Sequence, residues 1–228
     1  MTTRKKILVA VTNIAKYPEQ DRATGLWLAE AVHFVKKMQE AGYDMDYVSP
    51  LGGYTPIDPH SLEQADATDW QWYQDHDFMA RLGATHRPDE LNAADYAAIY
   101  YTGGHGTMWD FPEDRGLQAL ANAIYRDGGY VTAVCHGVVG LLNIQDDQGQ
   151  PLLQGREVTG FSNEEETLVG LQDAVPFLTE DALKAKGGQY RKAEQPWAEF
   201  AVADRRLITG QNPASGGKVA ELLLEQLG

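Results

Sequence analysis

The sequence has little cysteine, fewer basic than acidic residues, and no long hydrophobic run. Its 228 residues include 19 lysines and arginines against 33 aspartates and glutamates, which gives a formal net charge of −14. A chain this acidic repels phosphate, so neither nucleic acid nor an anionic membrane is expected as a partner. No stretch approaches the roughly 18 apolar residues that a membrane-spanning helix needs. The single cysteine, Cys135, cannot form an internal disulfide, which fits a reducing compartment. We expect a cytoplasmic protein.

Short apolar runs alternate with helix-like patterns along the chain. Runs rich in β-branched and aromatic residues predict strands, and the segments between them have the spacing of amphipathic helices. The predicted strands are residues 6–12, 43–49, 97–101, 130–134 and 206–209. The predicted helices are residues 24–41, 113–126, 215–227 and one from about 137, with a loop at 50–59 and a surface helical insertion at 70–82. This alternation indicates parallel strands with helices on both faces of the sheet.

Cys135 directly follows a predicted strand, at the sheet edge where parallel sheets bind their ligands. Ala133 and Gly137 stand two residues before and after it. Small residues at these positions are what a sharp strand-to-helix turn carrying a nucleophile requires. The N-terminus of the next helix would lower the pKa of the thiol, so we expect a partly accessible thiolate. The alternative is an inert core cysteine.

A glycine-rich segment follows another predicted strand. Residues 102–106 read Thr-Gly-Gly-His-Gly, with three glycines in four positions. Such a segment lets backbone N–H groups point into a site, as in an oxyanion hole. Gly103, Gly104 and His105 are therefore candidate oxyanion or substrate-binding residues. The segment lacks the spacing of a phosphate-binding loop. Glycine-rich turns after strands are common, so this one indicates a site only in combination with the turn at Cys135.

Glu30 is a candidate for proton transfer. Its neighbours on the predicted helix, Leu26, Trp27 and Phe34, are apolar. Such surroundings would raise the pKa of the carboxyl group and allow it to act as a general acid or base near neutrality. The periodicity of the helix also fits a glutamate on a solvated face.

Three consecutive glutamates at 164–166 provide a further acidic candidate. One of them could orient His136, because a histidine base needs its second ring nitrogen held. The spacing does not choose among the three. We expect no metal site, because the six histidines show no HExxH or comparable pairing.

These motifs together resemble the ThiJ/PfpI superfamily, whose fold is like that of class I glutamine amidotransferases. The resemblance lies in ATGLWLAE at 23–30, TGGHGTMWDFPED at 102–114, AVCHG at 133–137 and LITGQNPASG at 207–216. It is closest to the branch of glutathione-independent glyoxalases (glyoxalase III), which also includes stress-linked, chaperone-like members. It implies a single α/β domain over residues 1–228, a three-layer αβα sandwich with a mostly parallel, flavodoxin-like sheet.

The resemblance also implies roles for individual residues. Cys135 matches the nucleophile of the family, Glu30 its acid partner, and His136 the histidine that follows the cysteine. Glu166 aligns with the residue that orients this histidine. The backbone N–H groups of Gly104 and His136 resemble the oxyanion hole. No histidine follows His136, so the C-terminal His-x-Glu of true class I amidotransferases is absent and glutamine hydrolysis by that triad is not expected.

The expected reaction converts methylglyoxal and related 2-oxoaldehydes to 2-hydroxy acids such as lactate. Cys135 would form a hemithioacetal, and Glu30 would move a proton between neighbouring carbons with help from His136. No cofactor is needed, and a related protein deglycase activity is a further expectation. The expected partner is the small-molecule 2-oxoaldehyde, and the resemblance is compatible with a homodimer.

Two alternatives belong to other functional classes. The first is a cysteine hydrolase or peptidase that uses Cys135, His136 and Glu166. The second is a non-catalytic stress chaperone or a redox sensor whose Cys135 is oxidised.

Overall fold

The apolar runs form the strands of a central sheet. The computed structural model describes residues 6–228. Its strands are β1 (Lys6–Ala10), β2 (Met45–Val48), β3 (Tyr96–Tyr101), β4 (Tyr130–Val134), β5 (Glu157–Val158), β6 (Gln189–Tyr190), β7 (Ala201–Asp204) and β8 (Leu207–Gly210). Six of them form one sheet in the order β2-β1-β3-β4-β8-β7, and β5 pairs with β6 separately. Within the large sheet β7 and β8 pair antiparallel and the other neighbours pair parallel.

Helices connect these strands. Those in the described residues are α1 (Leu28–Glu40), α2 (Pro59–Glu63), α3 (Ala67–Tyr73), α4 (His76–Gly83), α5 (Thr107–Asp110), α6 (Arg115–Arg126), α7 (Asn163–Leu168), α8 (Thr179–Ala185) and α9 (Gly216–Leu227). None of the helices within residues 6–228 combines the length and the apolar composition of a membrane-spanning segment.

The two faces of β1 contribute to two separate cores. Ile7 and Val9 are buried in the cluster that includes α1 and α9, whereas Leu8 and Ala10 are buried in the cluster that includes α6. Alternate residues of a strand point to opposite sides of a sheet, so helices cover both faces. The predicted three-layer αβα sandwich is confirmed, and its parallel strands follow the flavodoxin-like order.

Helix α1 begins later than predicted, at Leu28 rather than at residue 24. The backbone N–H of Leu26 donates to the carbonyl oxygen of Pro56 at 2.8 Å, and the N–H of Asp58 donates to the carbonyl oxygen of Leu26 at 2.9 Å. These bonds hold the chain extended before the helix. At the other end Gly42 has a φ of 81°, the left-handed conformation in which a glycine commonly ends a helix.

The insertion predicted as one helix at 70–82 forms two, α3 and α4. They are separated because Asp75 begins α4 as its N-cap, accepting from the N–H of Phe78 at 2.8 Å. Between β4 and β8 the sequence predicted only the helix from about residue 137, but the structure also contains β5, β6, β7, α7 and α8. These are strands of two to four residues and helices of six or seven, which are too short to show a clear hydrophobic period.

The turn after β4 packs directly against the end of β3. A Cβ atom at Gly137 would lie 2.3 Å from the carbonyl oxygen of Thr102 and 2.5 Å from that of Tyr101. Both atoms belong to backbone and cannot move aside as a flexible side chain would. The absence of a side chain at Gly137 therefore sets how closely the segments after β3 and β4 approach each other.

Gly137→Ala is expected to lower the free energy of unfolding by about 1–3 kcal/mol or more, the usual cost of overpacking. The measurement is urea denaturation. The matched control is Gly83→Ala, because a Cβ at that helix end meets no atom within 4 Å, and its effect should stay within about 0.5 kcal/mol. Equal midpoints for the two variants would contradict this account of the turn.

Candidate active site

Cys135 lies on a sharp turn at the end of β4. Its φ of 55° is in the left-handed region, which residues other than glycine rarely adopt. A 3₁₀ helix, Cys135–Leu141, follows at once. The predicted turn is therefore present, but the segment after it is a 3₁₀ helix that begins at Cys135 itself, not an α-helix from about 137. A strained residue between strand and helix is the geometry of a nucleophile elbow.

Glu30 lies in the first turn of α1, and its side chain is fully buried. One carboxylate oxygen, Oε2, accepts a hydrogen bond from the backbone N–H of Gly103 at 2.8 Å. The other, Oε1, has no hydrogen-bond partner within the described chain. A Cβ atom at Gly103 would lie 2.4 Å from Oε2 of Glu30 and 2.9 Å from Cβ of Cys135. Gly103 therefore lies between Glu30 and Cys135, and its lack of a side chain allows these two residues to lie close together.

Burial raises the pKa of Glu30 to about 8, although hydrogen bonding to Cys135 and to the backbone N–H of Gly103 opposes this rise. Leu26 and Phe34 are themselves fully buried, so they form the apolar surroundings that the sequence predicted for Glu30. The interpretation of Glu30 as a glutamate on a solvated face is wrong. At neutral pH the carboxyl group exists in both protonation states, which is what a group that accepts and returns a proton requires.

The prediction that Cys135 is a partly accessible thiolate with a low pKa is wrong. Cys135 is only 2% exposed. Burial raises the pKa of the thiol well above its ordinary value, and the neighbouring charge of Glu30 raises it further. The backbone N–H of His136 lowers the pKa but does not offset these effects. A short 3₁₀ turn cannot compensate for burial beside a carboxyl group, so the thiol needs a base to remove its proton.

His136 is placed to be that base. Its Nδ1 lies 3.4 Å from Sγ of Cys135, and its Nε2 lies 2.7 Å from Oε2 of Glu166. The second oxygen of Glu166 lies 2.8 Å from Nε2 of His105. One carboxylate thus holds two imidazole rings, whose centroids are 4.0 Å apart.

Glu166 fixes the tautomers of both rings. Burial opposes its ionisation, but the two imidazoles hold the pKa of Glu166 well below its ordinary value. Burial, together with the adjacent His136, lowers the pKa of His105 to about 4, so this ring is neutral at neutral pH. An ionised carboxylate only accepts hydrogen bonds, so each Nε2 carries the hydrogen. Nδ1 of His136 then directs its lone pair towards the thiol.

The two preceding glutamates have other partners. Glu165 is buried, and its Oε1 accepts from the N–H of Trp197 at 3.0 Å and from Nδ2 of Asn212 at 2.9 Å. Glu164 is half exposed and pairs with Lys192 at 2.6 Å. The first two glutamates of the run therefore hold neighbouring segments together, and the third alone reaches the histidines.

A cavity of about 340 Å³ opens over the thiol. Three of its polar lining residues are Cys135, His105 and His136. Its walls include three aromatic side chains, Trp27, Phe161 and Trp197, none of which the sequence predicted as part of a binding site. Phe161 packs on the ring of His136 with centroids 4.3 Å apart. A volume of this size suits a small molecule.

Gly103, Gly104 and His105 all lie at this cavity or at its edge. Gly104 lines it with a φ of 98°, and a Cβ there would lie 2.1 Å from the carbonyl oxygen of Gly25. Within residues 6–228 the backbone N–H of Gly104 donates to no acceptor. The N–H of Gly103 is already bound to Glu30, so it contributes to the site by orienting that carboxyl group.

Two sets of side chains in the described region bring three possible metal ligands within 4.8 Å of one another. One is His105, His136 and Glu166 in the site itself, and the other is His33 with Asp66 and Asp69 outside it. Neither has the sequence spacing of a zinc motif, so a search for spacing alone does not find them. In the first set both imidazoles already hydrogen-bond to the carboxylate.

Glu30→Gln is expected to lower the apparent pKa of Cys135, because it removes a negative charge beside the thiol while burial remains. The measurement is the alkylation rate with iodoacetamide as a function of pH. The matched control, Glu164→Gln, removes the same charge from a half-exposed position and should leave the curve in place. A Glu30→Gln protein that titrates at or above the wild type would contradict the electrostatic coupling.

Comparison with known proteins places this arrangement in a family. The model of the DJ-1/PfpI family matches residues 23–226. The chain is 35% identical to the glutathione-independent glyoxalase HSP31 of Saccharomyces cerevisiae, over 98% of both chains. It is 31% identical to glyoxalase 3 of Candida albicans, over 95% of both.

Solved structures agree. The crystal structure of glyoxalase III from Candida albicans matches with a TM-score of 0.88 and 30% identity, covering 97% of this chain and 96% of that one. The Rapid Encystment Protein 24 KDa of Francisella tularensis matches with a TM-score of 0.93 and 36% identity, covering 99% of this chain and all of that one. The chain belongs to the DJ-1/PfpI family.

Proposed function

We propose that the chain is a glutathione-independent glyoxalase that converts methylglyoxal and related 2-oxoaldehydes to 2-hydroxy acids such as lactate. The observation that carries the proposal is the fully buried Glu30 beside the nucleophile Cys135, with a pKa raised to about 8. Relatives that match nearly the whole chain and are named glyoxalases support the same reaction.

The first step is addition of the thiol to the aldehyde carbon. Nδ1 of His136, 3.4 Å from Sγ of Cys135, takes the thiol proton as the C–S bond forms. The carbonyl oxygen becomes negative and is stabilised by the backbone N–H of Gly104, which donates to no other group in residues 6–228. Return of the proton from His136 to this oxygen gives a neutral hemithioacetal.

The second step is the internal redox change. Ionised Glu30 removes the proton from the carbon bound to sulfur, which gives an enediolate charged on the former ketone oxygen. The hydroxyl proton of the sulfur-bearing carbon moves to that oxygen through His136, and Glu30 returns its own proton to the neighbouring carbon. The aldehyde carbon is oxidised to a thioester and the ketone carbon is reduced to a secondary alcohol. No external electron acceptor takes part, so the reaction needs no cofactor.

The last step is hydrolysis of the thioester. A water molecule activated by His136 attacks the thioester carbon, the C–S bond breaks, and the Cys135 thiol is restored as the 2-hydroxy acid leaves. Glu166 holds His136 in the required tautomer throughout. The net reaction consumes one 2-oxoaldehyde and one water. Lower glycation of proteins would follow from removal of the free aldehyde, so deglycase activity requires no separate site.

Glu30→Gln is expected to abolish lactate formation but to leave Cys135 able to form an adduct with methylglyoxal, because the amide cannot carry the proton between carbons. The measurements are a lactate assay and the intact mass of the protein after incubation. Glu164→Gln is the matched control and should retain activity. Substantial lactate formation by Glu30→Gln would contradict the proposed role of Glu30.

Glu166→Gln is expected to reduce turnover by about 10²–10⁴-fold, the range typical of general acid–base contributions, because the ring of His136 is no longer held in one tautomer. Steady-state kinetics with methylglyoxal measures this, and Glu164→Gln again serves as the control. Unchanged turnover would make Glu166 a structural residue only.

A cysteine hydrolase is the second candidate function. It is favoured by the order of contacts from Cys135 to His136 to Glu166, at 3.4 and 2.7 Å, which is the arrangement of a nucleophile, a base and an orienting acid. Such an enzyme has no need of a second buried carboxyl group beside the sulfur. A Glu30→Gln protein that cleaves amide or peptide substrates at the wild-type rate, with no dicarbonyl activity in the wild type, would favour it.

A further inference from the structure

Three possible metal-ligand atoms meet between α1 and the start of α3, away from the catalytic cysteine. His33 lies on α1, Asp66 is the N-cap of α3, and Asp69 lies in its first turn. Nε2 of His33 is 3.2 Å from Oδ1 of Asp69 and 3.7 Å from Oδ2 of Asp66. All three atoms lie within 4.8 Å of one another.

The capping box of α3 holds both carboxylates in place. Oδ1 of Asp66 accepts from the N–H groups of Thr68 at 2.7 Å and Asp69 at 2.9 Å, and Oδ2 of Asp69 accepts from the N–H of Asp66 at 3.0 Å. One oxygen of each carboxylate is therefore fixed by backbone, and the other faces His33. Outer hydrogen bonds of this kind are what orients the ligands of a metal site.

A buried oxygen of Asp69 is separate evidence for a bound ligand. Its side chain is 2% exposed, yet Oδ1 has no hydrogen-bond partner among residues 6–228. Nε2 of His33 lies 3.2 Å from this oxygen and forms an ion pair with it only when the imidazole is protonated. A buried carboxylate oxygen without a partner is costly, and a cation between the imidazole and the carboxylates would satisfy it.

We propose that His33, Asp66 and Asp69 form a binding site for a divalent transition-metal ion, with Zn²⁺ as the best fit. One imidazole nitrogen and two carboxylate oxygens suit Zn²⁺ better than Ca²⁺ or Mg²⁺, which prefer oxygen ligands alone. At ordinary zinc bond lengths, the two observed separations from His33 correspond to ligand angles of about 100° and about 125°, close to a tetrahedral arrangement. Water would occupy the fourth position.

The site joins two parts of the wall around the catalytic centre. His33 is one helical turn after Glu30 on α1, and Asp66 is two residues after Gln64, which lines the cavity. A metal ion here would link α1 to the segment before α3 and stabilise the folded state, since it binds the folded chain and not the unfolded one. The proposal does not depend on the glyoxalase reaction.

The test is equilibrium dialysis of the purified protein against Zn²⁺, with Tm measured in parallel. The wild type is expected to bind zinc with a rise in Tm, and His33→Gln is expected to bind one equivalent less and to lose that rise. His33 is partly exposed, so the variant should fold, which circular dichroism checks. His76→Gln is the matched control, because His76 also has an aspartate 3.7 Å away but both residues are exposed and no third ligand is near.

A second control separates this site from the histidines of the catalytic centre. Glu166→Gln removes the carboxylate of the other possible ligand set, and it should retain the equivalent that His33→Gln loses. Co²⁺ substitution should give visible d–d bands in the wild type and in Glu166→Gln that are weakened in His33→Gln. Absence of zinc binding in the wild type, full retention in His33→Gln, an equal loss in His76→Gln, or a loss confined to Glu166→Gln would each overturn the proposal.

Discussion

The site depends on the close approach of backbone segments at Gly103 and Gly104. A side chain at either position would overlap Glu30 Oε2 or the carbonyl oxygen of Gly25. Because none is present, the first turn of α1 comes within hydrogen-bond distance of the segment after β3. The carboxyl group is thereby brought beside the thiol, where its own side chain is fully buried. Its raised pKa is a consequence of this packing, since the charged form loses solvation that a single backbone N–H replaces only in part.

Glu166 and Glu30 differ in protonation because Glu166 is shared between two imidazoles. Glu166 accepts hydrogen bonds from two imidazoles and stays ionised, whereas Glu30 accepts one N–H hydrogen bond within residues 6–228 and has a pKa raised to about 8. In the proposed reaction the two glutamates therefore act at different points, Glu166 as a fixed charge and Glu30 as a proton carrier. Both residues are glutamates, so their surroundings determine which of them is ionised at neutral pH.

Much of the fold and part of the site could be predicted from sequence, because these features depend on residues that are close together in the chain. Cys135 and Gly104 directly follow strands, so their position at the sheet edge is determined by a few neighbouring residues. The spacing alone could not choose Glu166 within its run, because the choice depends on how α7 is oriented against the turn after β4, and only the family resemblance indicated it. The accessibility and pKa of Cys135 were predicted wrongly, since both depend on burial by segments distant in sequence. The aromatic walls of the cavity come from connections that have no periodic pattern.

The left-handed backbone of Cys135 has a consequence for stability. A residue with a side chain in this conformation costs of order 1–3 kcal/mol, and glycine at the same position would not. The proposed nucleophile therefore lies at a residue where glycine would make the fold more stable, so activity and thermal stability oppose each other at this position. A screen that selects for thermostability without measuring turnover would therefore favour variants that have lost Cys135.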